Sequence, residues 1–362
     1  MNRQQLIVAI CGVALLVIGL GGLLTDDNPQ PHVHLENGRE YPTGYAAAPQ
    51  ATAEFVESLP AGERTFAEAG RRCYEGMSDD KPVLLYRALY AQHKAKYGRD
   101  WIVGAQGIGD CVSWGWAHGA MIHHAVLCEE GEASEWDIVA TEPIYGGSRV
   151  EAVGRDRGGW GDGSYGAAAA EWLLKWGVVY RQDYAGIVDL RAYSAQRAKQ
   201  WGNYGCGGEG EAGQKLDEIA KQHPCAKVAL VTTFNEAAVA IANGYPVPVC
   251  SGQGFSSRRD EQGFSRPSGS WSHCMCFIGV RHDRKGLLCL NSWGPDWVGG
   301  PKWPEDMPEG SFWVDERTAE SMLRGRDSFA VAGLQGFVRR KIDHASWAQV
   351  PQKGVGPWIA SH

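Results

Sequence analysis

Cys111 stands in the segment Gln-Gly-Ile-Gly-Asp-Cys-Val-Ser-Trp-Gly, residues 106–115. The glycines before it read as a loop, and the apolar spacing after it predicts a helix that opens at the cysteine. A helix N-terminus presents unpaired N–H groups and partial positive charge, the setting in which a thiolate forms most easily. Far downstream come His273, in Trp-Ser-His-Cys-Met, and Asn291, in Leu-Asn-Ser-Trp-Gly. A nucleophile, a base and an orienting amide in that chain order point to a cysteine hydrolase. Such chemistry also needs donors for an oxyanion. Gln106 can supply a side-chain amide beside the backbone N–H of Cys111. Trp293 can cover a His–Asn hydrogen bond and exclude water. Taken singly, each residue has an ordinary structural reading, His273 as a strand histidine with a backbone partner and Trp293 as a core aromatic. The joint pattern is the specific signal.

The elements that must position these groups can be read coarsely. Asp110 is a suitable N-cap, and Val112, Trp116, Ala120 and Leu127 fall near one helical face. His118, His123 and His124 lie on the same predicted helix. No carboxylate at a fitting spacing joins them, so they read as packing or surface histidines and not as metal ligands. Residues 63–100 look partly helical, with an apolar-to-polar run from Val83 to Tyr97 finished by Gly98. Further helices are expected over Tyr165–Trp176, stopped by Gly177, and Asn235–Ala242, stopped by Asn243-Gly244. Strands are expected at Val247–Cys250, Cys274–Val280, Leu287–Leu290 and Phe312–Val314. Helices first and strands later is an α+β order. Tyr204-Gly-Cys-Gly-Gly reads as a loop.

The chain has 362 residues, 44% of them hydrophobic, with 15 Trp and 48 Gly. That composition supplies a real core and excludes wholesale disorder. The net charge is −7, with no basic stripe interleaved with aromatics, which argues against nucleic acid as a partner. Of ten cysteines, Cys11 lies in the apolar N-terminal segment and Cys111 is the candidate nucleophile. The remaining eight suit either disulfides in an oxidising compartment or small buried thiols. Cys274 and Cys276 flank His273 so that, on a strand, both face the side opposite to it. No cofactor or metal is implied; the C-x-C pair lacks a second pair at zinc-site spacing.

Leu6 to Leu24 carries no charge, follows Arg3 and precedes Asp26 and Asp27. Its length reaches that of a bilayer span, and the charge asymmetry places the main chain outside. The readings are an uncleaved anchor, preferred, and a cleaved signal peptide; both export the rest. Residues 25–62, with Asp-Asp-Asn-Pro-Gln-Pro and Ala-Ala-Ala-Pro, have the composition of a linker or extended arm. His32 and His34 read there as solvated residues. The organisation is thus an N-terminal segment at 1–24, a linker and N-terminal extension at 25–99 that is a prosegment candidate, a main domain at 100–335 and a tail at 336–362.

The motifs resemble those of papain-like cysteine peptidases. Gln106-Gly107 and Cys111 resemble the family's oxyanion glutamine and nucleophile segment. Ser272-His273-Cys274-Met275 with Phe277-Ile278-Gly279-Val280 resembles its histidine strand, and Asn291-Ser292-Trp293-Gly294, with Trp297 and Gly299, its asparagine motif. Gly310-Ser-Phe-Trp-Val resembles the strand that follows. Thr141-Glu142-Pro143, Asp162-Gly163-Ser164-Tyr165 and Trp172 to Gly177 resemble its left-domain segment. The resemblance covers residues 100–335 and implies a two-domain fold, helical left and β-rich right, with the active site in the cleft between. It implies a peptide or protein substrate, with Gly163 and Ser164 lining the substrate backbone. This chain departs from the pattern in a step of only five residues from Gln106 to Cys111, in Val112 after the nucleophile and in Ile108 where relatives carry a disulfide cysteine. The reading is an exported, membrane-tethered cysteine peptidase. Its alternatives are an amidase or transpeptidase on surface or cell-wall peptides, and an inactive binding protein. Loops 251–270 and 295–309 are expected to shape the substrate pocket.

Overall fold

The computed structural model describes residues 33–36, 38–75, 81–154, 161–333, 335–342 and Trp347. The apolar run 6–24, read as anchor or signal, lies outside the described residues, as do His32, Cys11 and most of the tail. No helix among the described residues is long and apolar enough to cross a membrane.

Val33–Glu36 (β1) and Arg39–Pro42 (β2) form an antiparallel hairpin. Helix α1 (Pro49–Ser58) follows, with proline at its first position, where the lost N–H costs nothing. It replaces the spacer reading over Pro49–Ser58. Local composition there is weak, but Thr52 and Phe55 are buried, and Phe55 meets Phe329 edge-on with ring centroids 5.8 Å apart. A capping box of Thr65 and Glu68 opens the single turn α2 (Phe66–Ala69). Val83–Leu84 (β3) adds to a sheet edge and corrects the helical reading there. The helix itself, α3, runs Tyr86–Tyr97 and ends at Gly98, whose φ of +67° suits glycine.

Helix α4 (Cys111–Glu129) is buried on nearly every side over its first four turns, so the single expected face becomes a core helix. Its glycines let the sheet approach closely. A Cβ on Gly115 would lie 2.8 Å from the Met275 carbonyl oxygen, and one on Gly119 2.9 Å from the Pro248 ring. Helix α5 (Thr141–Gly146) runs into a π-helical turn, and α6 (Gly166–Trp176) ends at Gly177 with φ +97°. A short ribbon, β4 (Asp183–Tyr184) with β5 (Val188–Asp189), precedes α7 (Ala195–Tyr204) and α8 (Ala212–Ala220). After β6 (Lys227–Leu230), Thr233 caps α9 (Phe234–Ala242) by accepting from the Glu236 N–H at 3.1 Å.

The four expected strands all form and are longer than expected: β7 (Val247–Arg259), β8 (Ser265–Arg281), β9 (Gly286–Leu290) and β10 (Ser311–Asp315). With β3 they make one antiparallel sheet, ordered β10-β9-β8-β3, with β7 also paired to β8. Much of the expected loop 251–270 is therefore ribbon, and its register shifts between Ser251 and Arg259. Helix α10 (Glu316–Leu323) is followed by β11 (Phe329–Ala332), which pairs with β6. The result is a mixed helix-and-sheet fold in which α4 packs across β7 and β8.

Candidate active site

Cys111 is the first residue of α4, fully buried. Its thiol lies within hydrogen-bonding reach of the backbone of Cys274 and of Gly44. Burial pushes the thiol well above its ordinary value, and the neighbouring Asp110 adds to the effect. The expected thiolate is thus disfavoured in this state, because the helix-terminus field is outweighed by loss of water. Asp110 holds the N-cap position, but its side chain makes no cap hydrogen bond. Its Oδ2 instead accepts from the Trp114 indole at 3.2 Å and from the Tyr193 hydroxyl at 3.0 Å. Burial drives its carboxyl well up.

His273 sits on β8, fully buried. Its Nε2 pairs with Asn291 Oδ1 at 2.7 Å. That oxygen also accepts from the Ser292 N–H at 2.7 Å, which fixes the amide flip. The Nδ1 atom is buried and makes no hydrogen bond among the described residues. Trp293 lies over the imidazole, ring centroids 4.5 Å apart at 33°, inside a cluster with Trp271 and Trp297. Burial lowers His273 to about 4, against the opposing pull of the Asn291 hydrogen bond. Burial thus disfavours the charged form of thiol and imidazole alike in this state.

Gln106 comes to the same place from the loop before α4. Its backbone N–H donates to Ser292 O at 2.8 Å, and its Oε1 accepts from the Ser292 hydroxyl at 2.5 Å. Its Nε2 donates to Ile108 O at 2.9 Å. Asp162 ties this loop to the next segment. It accepts from the Gly109 N–H at 2.6 Å and from the Tyr145 hydroxyl. Gly163 has φ +102°, and Arg149 donates to its carbonyl.

What faces Gly163 and Ser164 is the chain's own N-terminal arm. Ser164 N donates to Gly44 O at 2.9 Å, and Ala46 N donates to Ser164 O at 2.8 Å. Tyr45 and Ser164 form a parallel bridge. On the other side Gly44 N and Tyr45 N both donate to Ser272 O, at 3.1 and 3.0 Å. The fit is tight: a Cβ on Gly44 would lie 1.8 Å from the Gly109 carbonyl oxygen. The hairpin before it closes over the tryptophan cluster. Trp293 donates to Pro42 O at 2.9 Å and stacks with Tyr41, and His34 stacks on its ring at 5.7 Å. His34, read from the sequence as a solvated linker residue, is half-buried in this hairpin.

Ser292 thus ties Gln106 beside Asn291, Asn291 holds His273 under Trp293, and the Gly44–Ala46 segment lies between Ser164 and Ser272. The three helical histidines stay apart from this site as packing residues. His123 is held by Gly244 O and the Gly333 N–H, and His124 by the Tyr180 hydroxyl. The sequence reading missed Ser292 and Tyr193. Ser292 was legible as the residue after Asn291. Tyr193, which also accepts from the Gly107 N–H at 3.0 Å, carried no local signal. Asn291→Ala is expected to lower kcat/KM about 10- to 100-fold, the cost of losing an orienting partner while the base remains. Steady-state kinetics with a parallel thermal melt would check this; loss of folding would make Asn291 chiefly structural.

No protein-family profile matches the chain, and no curated protein sequence matches it. Solved structures do. Xylellain, a cysteine protease from Xylella fastidiosa, is 15% identical, covering 85% of this chain and 97% of that one, with a TM-score of 0.46. The ragweed pollen allergen Amb a 11, a cysteine protease in its proform, is 14% identical over 80% of this chain and 74% of that one, at 0.45. Digestive procathepsin L 3 of the Tenebrio molitor larval midgut is 13% identical over 80% and 84%, at 0.39. Two of these similar structures, xylellain and Amb a 11, are of cysteine proteases.

Proposed function

We propose that this protein is a papain-like cysteine peptidase whose own arm covers its active site. The observation that carries the reading is the His273–Asn291 pair at 2.7 Å under Trp293, one residue along β8 from the backbone that meets the Cys111 thiol. In the uncovered enzyme, water and the α4 N-terminus favour the thiolate, and His273 takes its proton. Cys111 Sγ attacks the scissile carbonyl. The oxyanion is met by the Cys111 N–H and the Gln106 amide. Gln106 Nε2 carries two hydrogens, so its bond to Ile108 leaves one for this task. His273 then protonates the leaving amine, and water hydrolyses the acyl-enzyme. Gly163 and Ser164 bind an extended peptide backbone; the arm at Gly44–Ala46 supports this by bonding to both the N–H and the carbonyl of Ser164.

In this reading α4 belongs to a helical left domain, and β7–β10 to a β-rich right domain, with substrate in the cleft between. The arm lies within residues 25–99 and serves as a prosegment. The uncharged run 6–24 exports the chain, as anchor or signal, and places the enzyme on the extracytoplasmic side.

An epoxysuccinyl inhibitor tests the reading on protein lacking residues up to 46, which frees the thiol. One stoichiometric adduct is expected by intact mass, mapped to Cys111 and lost in His273→Ala. A folded, uncovered protein that takes no adduct would instead be the inactive binding protein.

A further inference from the structure

A pair of thiols lies behind the candidate nucleophile, and the mechanism does not use it. Cys250 on β7 and Cys274 on β8 are register partners across the sheet. Their sulfurs stand 2.8 Å apart. That is inside the 3.5–4.0 Å at which carbon atoms pack and outside the 2.03–2.05 Å of a disulfide bond. Directly opposed residues on antiparallel strands have Cα atoms about 4.5 or 5.5 Å apart, within the span a disulfide accepts. The other buried strand cysteines are not so placed: Cys276 opposes Pro248 and Leu290, and Cys289 opposes Phe277 and Phe312. Among the described residues, Cys250 and Cys274 are the cysteines whose register partners are each other. The pair adjoins Ser251 and His273, which are register partners in turn. Cys250 also borders a cavity of about 480 Å³, lined by Tyr45, Thr52, Met322 and Asp327 among others.

We infer that Cys250 and Cys274 are a disulfide-forming pair that ties β7 to the His273 strand and leaves Cys111 as the thiol of the site. The oxidant is a small disulfide. The Cys250 thiolate attacks one of its sulfurs and expels the first thiolate. The Cys274 thiolate then attacks Cys250 Sγ in the mixed disulfide and expels the second. Two protein thiols are oxidised, one small disulfide is reduced to two thiols, and the two protons pass to those leaving groups. The cavity at Cys250 gives the oxidant its entry. The bond removes the neighbouring thiol that would otherwise compete for Cys111, whose sulfur meets the Cys274 backbone.

The test is oxidation of the full folded chain with oxidised glutathione, then an acid quench, denaturation and alkylation with N-ethylmaleimide. The expected product has lost the mass of two hydrogens and takes two fewer adducts than the ten cysteines allow. A peptide linking Cys250 to Cys274 should appear, with Cys111 alkylated. Complete alkylation, a glutathione adduct that stops at the mixed disulfide, or a link through Cys111 would overturn the inference. Cys250→Ala should lose the link and nothing else. None of these readouts requires peptidase activity, so the outcome is independent of the function proposed above.

Discussion

Cys111→Ala is expected to abolish peptide hydrolysis, by on the order of a millionfold where the nucleophile acts as one unit with its base. Stability should hardly change. The residue is fully buried, but the substitution removes one sulfur from a helix start whose backbone contacts remain. A loss of about 1 kcal/mol is the scale for such a change, or a few degrees in Tm for a chain of this size. The measurement is turnover of a denatured protein substrate by the uncovered enzyme, beside a melt of the same sample. Residual turnover would remove Cys111 from the nucleophile role. A large fall in Tm would assign it to the core, where its burial already places it.

How much of this was legible in the sequence follows from where each determinant lies. The start of α4 at Cys111 and the strands around His273 and Asn291 were readable, because apolar runs and glycine stops act over a few residues. Asp110 was readable as the N-cap position, but not the use of its side chain, because the distant Tyr193 hydroxyl and the Trp114 indole take its carboxylate in place of the helix N–H groups. The state of the thiol was misread for a related reason. A helix N-terminus is visible in sequence, whereas burial under Gly44 comes from a segment far away in the chain. Helix α1 hid in a spacer composition because Phe55 earns its helix by meeting Phe329, not by propensity. The arm's path depends on Ser164 and Ser272, which no local period relates to Tyr45.

That path gives the second large effect. Gly44→Leu is expected to speed epoxysuccinyl labelling of Cys111 by tenfold or more relative to the unaltered chain. A Cβ at this position would stand 1.8 Å from the Gly109 carbonyl and cannot be accommodated while both backbones stay in place. Gly109 is the less free of the two: its N–H is held by Asp162 at 2.6 Å, and it immediately precedes the buried Asp110. The arm is held by four backbone bonds to Ser164 and Ser272 and by the Trp293–Pro42 bond, so the clash is relieved by its departure. Each 1.4 kcal/mol by which the covered state is weakened raises the uncovered fraction tenfold while that fraction is small. Deleting residues up to 46 should give the same fast labelling without touching Gly109. If the deletion labels fast and Gly44→Leu does not, the loop before Cys111 has yielded in place of the arm. If neither changes the rate, residues 42–46 do not control access to the thiol and the prosegment role falls.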